Sequence, residues 1–134
     1  MEKIVERELS YAIVGVLFDV ADDLGGGYQE KYYQRAVARG LKNKGLGFRE
    51  QVAVPLEFHG ESIGRYFIDF VVEDRIVLEI KASNRFYSRD IKQILAYLRS
   101  TNINLGILAN FTRSGLELKR VLRGLKISDN SRIN

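Results

Sequence analysis

The chain has 134 residues, 46% of them hydrophobic and 28% charged, which fits one soluble domain with a single core and leaves no room for two. It has no cysteine and one histidine, which excludes disulfides, thiol nucleophiles, cysteine-held zinc and any site built on two histidines. A metal would therefore be held by oxygen, as Mg²⁺, Mn²⁺ or Ca²⁺ are, and the net charge of +4 is compatible with a nucleic-acid partner.

Residues 4–24 place Ile4, Leu9, Ile13, Val16, Leu17, Val20 and Leu24 at helical spacing, and Gly25, Gly26 and Gly27 stop the helix. The acidic start, with Glu2, Glu6 and Glu8, is unlike a signal peptide, and no apolar window is long enough to span a membrane. With the absence of cysteine, this gives the expectation of a cytoplasmic protein with no membrane partner. A second helix is expected over 29–42, with Glu30 in its first turn, where the helix dipole favours a carboxylate. The period then changes to two. Val52, Val54, Leu56 and Phe58 mark a strand, 59–62 a hairpin loop, 63–72 a second strand and 76–82 a third. Residues 88–100 read as a helix with Ile91, Ile94, Leu95 and Leu98 as its apolar stripe. Residues 104–111 read as a buried strand and 116–125 as a final helix. The polar end, 128–134, is expected to fray, leaving one domain over 1–127. The expected fold is α/β in the order α-α-β-β-β-α-β-α, a mixed four-stranded sheet flanked by helices.

The second and third strands, YFIDFVV and IVLEIKA, are apolar enough for the middle of a sheet, yet they carry Asp69, Glu79 and Lys81. A three-residue loop over 73–75 sets Val72 opposite Ile76, and the same register puts Asp69 opposite Glu79. Lys81 then shares their face, as do Phe67, Val71 and Val77. A two-residue loop would instead send Glu79 to the other face and scramble the apolar face. Two opposed carboxylates repel, and one ammonium does not neutralise both. A divalent cation does, and a lysine beside it can orient water or stabilise charge on a phosphate. The plainer alternative is a salt bridge on an exposed face.

This acid, acid-x-lysine pattern on a hairpin, followed by a helix and a strand, resembles the PD-(D/E)XK nuclease superfamily, with its restriction-endonuclease-like fold. Within it the chain resembles the GxxExxY proteins. The motif stands as Gly27-Tyr28-Gln29-Glu30-Lys31-Tyr32-Tyr33, and Gly25, Gly64-Arg65-Tyr66, Gln93 to Leu98 and Leu105 to Phe111 continue the likeness over roughly residues 8–122. Ile68 stands where the superfamily often has proline.

The resemblance implies a Mg²⁺- or Mn²⁺-dependent nuclease, with DNA the favoured substrate. Asp69, Glu79 and the main-chain carbonyl of Ile80 would bind metal and Glu30 would assist, while Lys81 and Gln93 would complete the catalytic set. Tyr33 would touch the acid or a phosphate, with an aromatic core contact as the equal alternative. Tyr97, on the stripe of Asp90 and Gln93, would border the substrate, and Asp90 reads as a helix-start carboxylate. Arg65, Lys92, Arg85 and Arg89 could meet phosphates, and Phe86 and Tyr87 could stack on a base. His59 is given no role. Duplex-cutting enzymes of this fold often pair, so a homodimer is an expectation. Two rival readings stand beside cleavage. One is a catalytically silent nucleic-acid-binding or partner-dependent module, and the other is a structural protein whose triad is a buried ion-pair network.

Overall fold

The computed structural model describes residues 6–85, 88–124 and, in backbone only, 126–128. Phe86, Tyr87, Ile4, Leu125 and the expected tail beyond Ser128 lie outside them. Two helices come first, α1 (Arg7–Leu24) and α2 (Glu30–Asn43). Three strands follow, β1 (Phe48–Phe58), β2 (Glu61–Val72) and β3 (Ile76–Lys81). After them come α3 (Ser88–Ser100), β4 (Leu105–Thr112), β5 (Gly115–Leu122) and β6 (Lys126–Ser128). The strands lie in chain order in one six-stranded sheet. Only β3 and β4 run parallel, joined by the α3 crossover, and the other neighbours are antiparallel.

The central part of the sheet is covered on both faces, while the outer part of the β1–β2 hairpin is exposed. Leu9, Ile13 and Leu17 of α1 and Tyr33, Val37 and Leu41 of α2 pack on Phe70, Val72, Ile76, Leu78, Ile80 and Ile107. On the opposite face Ile94, Leu95, Tyr97 and Leu98 of α3 pack on Val71, Val77 and Leu108. This alternation is what a period of two dictates for a strand buried on both sides. At Gly106 a Cβ would overlap the Ile94 side chain, so the missing side chain is what lets α3 sit this close to β4. Gly106→Val should lower stability by about 3 kcal/mol, read as a lower unfolding midpoint in urea.

The expected final helix is a strand. LELKRVL has good helix formers, but β4 is buried along all eight residues, and its outer edge would otherwise leave backbone groups unpaired. β5 satisfies that edge through eight register pairs, Leu105↔Leu122 to Thr112↔Gly115. The turn between them is built by Thr112, whose Oγ1 donates to Gly115 O at 2.7 Å and accepts from Ser114 N at 3.2 Å. The sheet therefore has β5 and β6 in addition to the four expected strands. The first hairpin is also tighter than expected: His59 and Gly60, both with positive φ, make the turn, and Glu61 and Ser62 already belong to β2. No helix among the described residues is long and apolar enough to cross a membrane.

Candidate active site

The β2–β3 register is the one that the three-residue loop requires, with Val72↔Ile76, Val71↔Val77 and Phe70↔Leu78. One step further the ladder stops, at the carboxylates. There the side chains take over from the backbone. Asp69 N–H donates to Glu79 Oε1 at 2.6 Å, and Ile80 N–H donates to Asp69 Oδ2 at 2.8 Å. Each acid thus accepts from the other strand's main chain, and the two strands part around the pair. Asp69 also marks a slip in β2. Ile68 packs on the α3 face while Phe70 packs on the α1–α2 face, so the alternation breaks between them. Gln51, beside it on β1, has φ 51°. Asp69 is therefore not simply on the α3 face with Glu79 and Lys81, and α2 can reach it. Phe67, expected on the charged face, is instead exposed.

Both acids are buried, Asp69 at 7% and Glu79 at 1% exposure. Asp69 Oδ1 accepts from Gln34 Nε2 at 3.1 Å and Gln51 Nε2 at 3.2 Å. Glu30, in the first turn of α2, accepts from the same Gln34 amide at 3.2 Å. Lys81 Nζ lies 3.9 Å from Glu79 Oε2 and 3.7 Å from Asp90 Oδ1. Asp90 is in the first turn of α3, as expected of a helix-start carboxylate, but it is also 3% exposed and anchors the lysine. The loop leaving Lys81 is pinned by Asn110, whose Oδ1 accepts from Ser83 N at 2.9 Å.

Electrostatically the cluster is too negative. Burial and then repulsion from Asp69 push Glu79 up to about 8. Burial also raises Asp69, against the opposing pull of Ile80 N–H, Gln51, Lys81 and Gln34. Glu30 is raised by burial and by Asp69 and Asp90, with Lys81 and the Ala82 backbone N–H pulling the other way. Burial lowers Lys81, but Glu79, Glu30, Asp90 and Asp69 together outweigh it and hold the ammonium above the ordinary lysine value. Lys81 is therefore a cation at neutral pH, suited to steadying negative charge and not to accepting a proton.

The donor set suits a hard divalent cation: carboxylate oxygens, no sulfur or imidazole, and charge that one lysine does not balance. Among the described residues no three acidic or histidine side chains form a ready-made metal cage. The inward oxygens of Asp69 and Glu79 are instead turned onto backbone N–H groups.

Several expected residues stand elsewhere. Tyr33 takes the core alternative. It is fully buried, stacked on Phe111 with centroids 4.4 Å apart, and its hydroxyl is spent on Gly25 O and Tyr28 N–H. Tyr97 is a core residue of the α3 face whose hydroxyl meets Arg49, which pairs with Asp74 in the β2–β3 turn, so it is not turned onto the acids. Gln93 is half-buried one turn past Asp90, and its carbonyl accepts from Tyr66 OH at 2.7 Å. Arg65 lies over the Phe67 ring on the outer part of the first hairpin. Arg85 and Arg89 are exposed, on the loop after Lys81 and at the start of α3.

Two further residues, Gln34 and Gln51, join the cluster through Asp69 without being expected there. Gln34 lies four residues after Glu30, on the same helix face, which was a readable signal. Gln51 gave none, because its reach depends on the irregular backbone.

Residues 7–121 match the sequence profile of the PD-(D/E)XK nuclease superfamily. In fold, the chain is similar to the crystal structure of SSO0001, with a TM-score of 0.55 at 18% identity over 72% of this chain. The chain spans 50% of that protein's length. No curated protein matches it in sequence.

Proposed function

Because this chain belongs to the PD-(D/E)XK nuclease superfamily, we propose that it is a Mg²⁺- or Mn²⁺-dependent nuclease that hydrolyses phosphodiester bonds, with DNA the favoured substrate. The observation that carries this is the buried Asp69–Glu79 pair, whose repulsion one lysine does not relieve. Asp69, Glu79 and the Ile80 carbonyl would hold the cation, with Glu30 assisting directly or through water. When bound, such a cation acts as a Lewis acid on the phosphate and lowers the pKa of water. Gln34 and Gln51 hold the Asp69 carboxylate in place. Asp90 holds the Lys81 ammonium, which orients the attacking water and steadies charge growing on the phosphate. Gln93 would support the site from α3, and Arg85 and Arg89 would meet the phosphate backbone. The finer likeness, to GxxExxY proteins, rests on Gly27, Glu30 and Tyr33.

The turned-in carboxylates favour one rival, a nucleic-acid-binding module that cuts nothing alone. Labelled single-stranded and duplex DNA and RNA, incubated with Mg²⁺, Mn²⁺ or EDTA, separate the two. Metal-dependent cutting that Asp69→Ala abolishes supports the nuclease. Binding without cutting under every metal supports the module. Gln34→Leu should raise the Mg²⁺ concentration for half-maximal cutting by about tenfold or more, because it removes an outer hydrogen bond from a ligand.

A further inference from the structure

Tyr33 is buried, but its neighbours Tyr28 and Tyr32 are not: they are 51% and 43% exposed, with ring centroids 6.5 Å apart, edge to face. Lys31 Nζ lies 5.3 Å and Arg35 Cζ 5.6 Å from the Tyr32 ring centroid. Lys31 and Arg35 are both exposed. These residues lie in or just before the turns of α2 that carry Glu30 and Gln34. At 100° per residue, Glu30 and Gln34 share one face. Lys31, Arg35 and Tyr32 follow in that angular order around the outer side. A path from the carboxylates around the start of α2 therefore runs first past two cations and then onto two exposed rings.

We propose that Tyr28, Tyr32, Lys31 and Arg35 form a stacking platform for unpaired bases, so that the strand entering the site is single-stranded. Rings bind bases through their faces, whereas a duplex hides its base faces in its own stack. Lys31 and Arg35, which lie over the Tyr32 ring in the free chain, would swing off it onto the phosphates between bases. The exposed apolar residues at the tip of the first hairpin differ in kind. Leu56, Phe58 and Ile63 have Glu57 and Glu61 among them, a poor surface for a polyanion. The inference rests on the nucleic-acid reading above, but its test needs no cutting.

The test is fluorescence anisotropy of the whole chain in EDTA, with a labelled oligothymidylate and a blunt duplex of equal length. Tyr32→Ala should weaken the single strand by about tenfold. Tyr32→Phe should bind like the parent, and affinity for the duplex should not move. Lys31→Ala should lower the slope of log affinity against log salt by about 0.7 for the charge removed. Circular dichroism checks the fold, which Tyr32 does little to support. Wild type that does not bind the oligothymidylate overturns the proposal. So does an unchanged affinity in Tyr32→Ala, or an equal loss on the duplex, and either would point to a protein partner for this patch. A chain that binds single strands through Tyr32 yet cuts no nucleic acid keeps the platform and removes the nuclease reading.

Discussion

Lys81→Met should reduce metal-dependent cleavage by at least about a hundredfold, the scale on which removal of one preorganised charge-stabilising group acts. The ammonium is placed by two buried carboxylates, Asp90 at 3.7 Å and Glu79 at 3.9 Å, and it stays protonated because the cluster is so acidic. Lys81→Arg should not restore the rate. A planar guanidinium is wider than an ammonium and would have to enter a half-buried space fitted to a point charge. Cleavage rates at saturating metal, with urea midpoints alongside, check this. A Lys81→Met enzyme that folds normally and cuts within a few-fold of wild type would remove Lys81 from the mechanism.

Glu79→Gln should do two opposite things, abolishing cleavage while stabilising the metal-free protein above neutral pH. Glu79 has an ordinary value of 4.5 and is pushed up to about 8 in the fold, by burial first and by Asp69 next. Between those values the folded protein holds a proton that the unfolded chain has released. Stability from this group is thus intact below pH 4.5, falls as pH rises through the interval, and is lost above 8. At about 1.4 kcal/mol per pKa unit the loss amounts to a few kcal/mol. Glutamine keeps an acceptor for the Asp69 N–H and removes the charge, so its urea midpoint should stay flat from pH 6 to 9 while wild type declines. Adding Mg²⁺ should flatten the wild-type curve and leave the variant unchanged. A wild-type midpoint constant over that range would show that Glu79 is not strained in the fold.

Where the chain was legible, a physical rule had a single outcome. The three-residue loop after Val72 left one register that kept Val71 and Val77 on a common apolar face, and that register set Asp69 beside Glu79. β5 was misread because its composition favours a helix, and its partner, the bare edge of β4, is visible only once the sheet exists. The Thr112–Gly115 turn was the overlooked signal. Burial of Asp90 was hidden for a related reason. Its position on a first helical turn has a sufficient local explanation, and the Lys81 contact is made across elements. Tyr97 and Tyr33 show the limit of motif likeness. Both lie in stretches that resemble the family, and both face the core.

Whether Asp69 and Glu79 form a cation site is tested most directly by calorimetric titration with Mn²⁺, with no dependence on substrate. Wild type near pH 7.5 should bind Mn²⁺ and release a proton as Glu79 ionises, while Glu79→Gln and Asp69→Asn should lose the binding. Wild type that binds no Mn²⁺, or binds it as well as both variants do, would contradict the account.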